Sequence, residues 1–249
     1  PNNSTELVKE ILEGGEVVPD LNDLILGKAG GNPFFVEELT HSLKENGLIQ
    51  IKDQQNVLNE KVSEILLPDT IQGIIAARID RTEEKLKQIM QVASVVGREF
   101  AFRILKSIMG MSEELKSRLL ELQGLEFITE KRLFPELEYI FKHALTQEVS
   151  YNSLLLKWKK EIHAGIGSAI EALYPDRLEE HYELLAYHYG RSVKADKALQ
   201  YLDLANQKAA AAIAMEEAKG FFDKAMEAQK SRSKKASSFF FGSEGDSAT

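Results

Sequence analysis

GLEFITEKRLFPELEYIFKHAL, residues 124–145, is the stretch whose reading decides the fold. Gly124 marks a change of period. Leu125, Phe127 and Ile128 give a short apolar strand pattern, Glu130 to Arg132 a polar turn, and Leu137, Tyr139 and Phe141 a second strand alternating every other residue. Helical spacing resumes at Ala144, Leu145, Val149, Leu154 and Leu155.

Upstream of this stretch the spacing is helical. Asp69 with Gln72 matches a capping box, and Ile71, Ile74, Ile75 and Ile79 form one apolar face behind it. Thr82, with Glu83 and Glu84, reads as a second start, leading to Leu86, Ile89, Met90, Ala93 and Val96 before Gly97. Phe100 to Met109 reads as a third helix, and Ser112 as the cap of a fourth carrying Leu115, Leu119, Leu120 and Leu122. Several short helices followed by a small two-stranded wing is the order of a winged helix, expected over residues 67–174.

Residues 1–66 are read as a helical module. Leu7, Ile11 and Leu12 form one amphipathic stretch, and Leu21, Leu24 and Ile25 a second that Gly27, Gly30 and Gly31 stop. Pro33 suits a first helical turn, with Phe34, Phe35, Val36, Leu39 and Leu43 following to Gly47. Leu48 to Ile51 and Asn56 to Leu58 suggest a brief hairpin. Beyond Pro175, Leu184, Leu185, Tyr189, Tyr201, Ala205, Ala214 and Phe222 mix small and aromatic residues, as closely stacked antiparallel helix pairs do. Helical repeats are therefore expected over 175–230, and a flexible Ser/Gly/Lys-rich tail over 231–249. The expected fold class is mainly α.

The chain has 249 residues and a net charge of -8. Residues 1–70 carry the whole excess, with 5 Lys+Arg against 13 Asp+Glu, while residues 71–150 hold 12 of each. The balanced middle lacks the basic surplus by which DNA-binding domains neutralise phosphate, so nucleic acid is not the expected partner. The absence of cysteine removes disulfides and thiolate metal sites and fits the cytoplasm. No apolar run approaches the roughly 20 residues of a membrane span, and no charged-then-apolar leader opens the chain. Residue 1 is Pro, so the sequence is expected to be a piece of a longer protein.

Catalytic motifs are missing. Gly27-Lys28-Ala29 lacks the upstream glycine and the Ser/Thr of a phosphate-binding loop. No two of the five histidines stand four apart, as on a zinc-protease helix, and His181 with His188 reads as repeat packing. The acidic pairs, Glu37/Glu38 and Glu83/Glu84 among them, fit helix termini rather than acid–base catalysis. Trp158 amid Lys157, Lys159 and Lys160 is read as packed inward from a solvated face. No enzymatic activity of the chain alone is expected.

Five blocks carry a resemblance. They are Gly30-Gly31-Asn32-Pro33-Phe34-Phe35-Val36-Glu37-Glu38-Leu39, Leu67-Pro68 leading to Ala76-Ala77-Arg78-Ile79-Asp80-Arg81, Ala93 to Phe100, Phe141-Lys142-His143-Ala144-Leu145 and on to Tyr151, and Leu184 to Tyr189. In this order the chain resembles signal-transduction ATPases with numerous domains, the branch fused to class III nucleotide cyclases, protein kinases or LuxR-type regulators. The resemblance implies a helical lid, a winged helix and the start of tetratricopeptide-like repeats, lying after a P-loop domain that binds ATP or ADP with magnesium. It implies that Gly31, Asn32 and Pro33 lie against the nucleotide and that His143 touches the ADP β-phosphate, although the acid that follows this histidine in related ATPases is Ala144 here. No cofactor is expected on the fragment alone. The implied partners are the upstream P-loop domain and a protein bound by the repeat arm. The residues themselves leave other readings open: His143 as a cap or packing residue beside the wing, Pro33 to Phe35 as helix start and core, and the whole as a DNA-binding regulator.

Overall fold

The computed structural model describes residues 2–59, 67–110, 114–133 and 135–241, and the protein is mainly α. It divides into two compact units, Pro1–Ala169 and Ile170–Thr249.

The first unit opens with α1 (Asn2–Ile11), α2 (Pro19–Ala29) and α3 (Pro33–Glu45), whose apolar faces bury Val8, Leu21, Ile25, Val36, Leu39 and Leu43 in one core. Gly27, expected to help stop α2, lies inside it. The stop is Gly30, whose left-handed backbone (φ 56°) lets its N–H bond Leu26 O. One interior glycine costs about 1 kcal/mol, less than burying Leu21 and Ile25 returns. The expected hairpin forms as β2 (Ile49–Lys52) and β3 (Gln55–Leu58), turning on Asp53 and Gln54, both at positive φ, as two-residue hairpins prefer. A two-residue strand, β1 (Glu16–Val17), adds parallel to β3. It is too short to leave a periodic signal.

Next come α4 (Ile71–Arg81) and α5 (Glu84–Val96). The cap of α4 is Thr70, whose Oγ1 accepts from Gly73 N–H at 3.1 Å. Asp69, expected in that role, instead takes Lys28 at 2.7 Å. Thr82, expected to open α5, closes α4 by donating its hydroxyl to Ile79 O. The helix expected from Phe100 begins two residues later as α6 (Phe102–Met109), because Glu99–Ala101 forms β4. There Phe100 pairs with Tyr139 and buries its ring on Phe141.

After α7 (Glu114–Gly124) come β5 (Ile128–Arg132) and β6 (Glu138–Phe141). The expected cap Ser112 lies outside the described residues. The polar run Glu130–Arg132, expected as a turn, is the end of β5. It is the edge strand of a sheet ordered β4-β6-β5, where side chains reach water. The sheet, expected as two strands, therefore has three, because β4 pairs with β6. The core against it holds Ile75, Ile89, Leu105, Leu119 and Phe141. Helix α4 belongs to both cores, with Ile74 in the first and Ile75 in the second. Then follow α8 (Ala144–Asn152) and α9 (Leu156–Leu173). Trp158, expected to pack inward, is 55% exposed, because the buried face of α9 runs through His163 and Ile166 and Trp158 falls off that line.

In the second unit a 3-10 segment (Pro175–His181) leads to α10 (Tyr182–Gly190) and α11 (Ala195–Phe241). Lys197 reaches Tyr189 and Lys208 reaches Glu183, so these helices run antiparallel. The pattern suggested part of a further pair and then a loose tail from residue 231. Instead α11 is one helix of 47 residues. Ala209 to Ala214 and Glu216 to Ala218 are strong helix formers, and no proline follows Pro175. Residues 242–249 lie outside the described residues. Among the described residues no helix is long and apolar enough to cross a membrane.

Candidate functional site

The start of α3 is built by local chemistry. Gly30 and Gly31 turn the chain at φ 56° and 84°, and Pro33 takes the first helical position, where its missing N–H costs nothing. Asn32 is the cap: its side-chain oxygen accepts from Phe34 N–H at 3.0 Å and Phe35 N–H at 3.3 Å. Gly31, Asn32 and Pro33 are all exposed. A phosphate binding this helix end through its amides would have to displace the Asn32 oxygen first.

The first turns of α3 lie against the end of β6. The Phe34 ring meets the His143 ring at a centroid distance of 3.9 Å. Glu37, one turn on from Pro33, places one carboxylate oxygen 2.5 Å from Lys142 Nζ and the other 3.4 Å from His143 Nε2. Two of the stretches singled out in the sequence, the Gly-Asn-Pro turn and the Phe-Lys-His segment, are thus neighbours. The His143 imidazole, helped by Lys142 and opposed by partial burial, holds the Glu37 carboxyl at about 2. Glu37 stays ionised at any ordinary pH.

Behind this pair lies a buried ionic cluster that sequence reasoning missed. Arg78 of α4 is 1% exposed. It donates to Glu38 at 2.6 Å, to Glu45 through Nε at 3.0 Å and Nη2 at 2.5 Å, and to Leu125 O at 3.1 Å. Its guanidinium also lies 4.7 Å from the Phe127 ring centre. Arg78 therefore ties α3 to the turn between α7 and β5. Glu126, in that turn at φ 59°, binds Lys142, and its carboxyl is held below the usual range chiefly by that hydrogen bond. His41 of α3 sits 3.5 Å from Glu126, and burial, with Arg78 nearby, pushes its imidazole below the ordinary histidine value. The signal for Arg78 was present: it continues the Ile71, Ile74, Ile75 face of α4, where an arginine must find buried partners. Glu126 and Lys142 had no such signal.

Comparisons with known proteins are sparse. A family described as "Domain of unknown function (DUF8739)" matches residues 2–57. An "Uncharacterized protein R02095" of Rhizobium meliloti (strain 1021) is 24% identical over 217 residues, covering 85% of this chain and 20% of that protein. The chain thus spans one fifth of the length of the relative it matches.

Proposed function

We propose that the chain is the regulatory part of a cytoplasmic, nucleotide-switched signalling ATPase: the lid of its nucleotide-binding region, a winged helix and the start of a helical arm. The observation that carries this reading is the meeting of the α3 start with Lys142 and His143. A nucleotide phosphate near this junction would compete with Glu37 for Lys142 and His143, and so would bias how α3 packs on the winged helix. A packing element biased by a ligand is what a switch requires. In the intact parent, ATP or ADP with magnesium would sit on an upstream P-loop domain, with Gly31, Asn32, Pro33 and His143 at its edge. The fragment itself would not be catalytic, and α10 with α11 would offer a protein partner its surface.

The DNA-binding reading draws little support. Arg118, on the α7 helix that would be the recognition helix, is engaged by Glu83 and Glu121, and acids flank it.

The test is a calorimetric titration of this chain with magnesium-ADP. The proposal expects no binding tighter than about 10 μM, equivalent to about 7 kcal/mol. Tighter binding would mean the chain carries its own complete phosphate site, and the regulatory-fragment reading would fall.

A further inference from the structure

Glu37 and His41 stand four residues apart on α3 and so share a face. Glu126 joins them from the turn between α7 and β5, and one donor atom from each of the three lies within 4.8 Å of the others. His41 is only 9% exposed, and its Nε2 is buried without a hydrogen bond, although it points at Glu126 from 3.5 Å. A buried imidazole nitrogen with no hydrogen bond, facing two carboxylates, leaves a lone pair that a cation would satisfy.

The surroundings favour a cation. The three residues line a groove of about 650 Å³ open to solvent, whose rim adds Glu10, Glu13 and Glu45 against Lys44. A positive charge already stands among the three donors: the Lys142 ammonium bridges Glu37 and Glu126, while Lys44 on the rim pairs with Glu13. That ammonium sits on a flexible stem and is 31% exposed, so it can swing out to water. One imidazole and two carboxylates form a donor set suited to borderline divalent metals of the zinc class, and three protein donors leave a fourth position for water in the groove.

We propose that Glu37, His41 and Glu126 form a site for a zinc-class divalent ion, and that Lys142 is the exchangeable cation which the metal displaces. Because two ligands come from α3 and one from the α7–β5 turn, the ion would clamp α3 to the winged helix. It would also free Lys142 from Glu37. The proposal stands apart from the nucleotide reading, since it needs no nucleotide and no other domain.

The experiment uses the full 249-residue chain. Zinc binding is followed by calorimetry, and cobalt binding by its visible absorption, in wild type and in Glu126→Gln, His41→Gln and Lys142→Met. The expected result is one ion per chain with micromolar affinity. Glu126→Gln and His41→Gln should weaken it roughly tenfold or more, and Lys142→Met should tighten it by a similar factor. Glu126 is half-exposed and Lys142 is flexible, so those two variants remain informative should His41→Gln fold poorly. The proposal is overturned by the absence of binding in both wild type and Lys142→Met. It is equally overturned by zinc affinity that the Glu126 and Lys142 variants leave unchanged, or by magnesium binding as tightly as zinc.

Discussion

The Phe34 ring packs on the His143 ring with centroids 3.9 Å apart, joining the start of α3 to the end of β6. The contact sits at the edge of a junction whose other side is buried. Arg78 fixes the buried side of that junction through Glu38, Glu45 and Leu125 O. Phe34, Glu37, Lys142 and His143 form its more accessible side. The arrangement sets a buried ionic anchor beside a more accessible contact.

The anchor predicts a large stability effect. Arg78→Ala would strand Glu38 and Glu45 as unpaired acids and should destabilise the first unit by about 3–5 kcal/mol. Arg78→Met, with Glu38→Gln and Glu45→Gln alongside, should recover much of that loss, because no charge is left stranded. Urea denaturation measures both; equal stability of Arg78→Ala and wild type would contradict the anchor.

The cap predicts a smaller one. Asn32→Ala removes the acceptor for the Phe34 and Phe35 amides and should cost about 1 kcal/mol, whereas Asn32→Asp should be nearly neutral. A loss no greater than about 0.2 kcal/mol in Asn32→Ala would mean that Asn32 does not cap α3.

The second unit should be acid-sensitive through Glu171. Its carboxylate accepts from Lys197 at 2.5 Å and from the Tyr201 hydroxyl at 2.7 Å. Burial works to raise its pKa, but the Lys197 and Tyr201 hydrogen bonds outweigh it, and the net shift is downward. A lowered carboxyl pKa contributes stability that is complete above its unfolded value of about 4.5 and is lost as pH falls below it. The Tyr201 hydroxyl is shifted upward, by burial and by donating to Glu171, so its contribution is present below pH 10 and fades as pH rises further. Thermal melts should show wild type losing more stability below about pH 4.5 than Glu171→Gln loses over the same range. Parallel curves for the two proteins would contradict the assignment.

Much of this fold was legible in the sequence. The mainly helical character and the two strands within residues 124–145 could be read from apolar spacing, because burial on one face imposes a period on any segment long enough to repeat it. The misreadings were local. Thr70 and Asp69 are both able caps, and the choice was made by Lys28, distant in sequence, claiming Asp69. Glu130 to Arg132 looked like a turn because an edge strand can be as polar as a loop. Strand β4 was hidden because three residues cannot display a period. In the candidate site, the proline start of α3 and the apolar spacing behind it were legible from local chemistry. The cluster behind them was not, since Glu126, Lys142 and His41 acquire their roles only when the turn after α7 is brought against α3.

The proposed switch senses nucleotide through the junction of α3 with His143. The most direct measurement is the rate of ADP release from the intact parent protein, wild type against His143→Ala. The account predicts faster release and higher basal output in the variant, because the winged helix loses its hold on the nucleotide-loaded form. Unchanged ADP release and unchanged output would contradict it, and would leave His143 as a packing residue beside the wing.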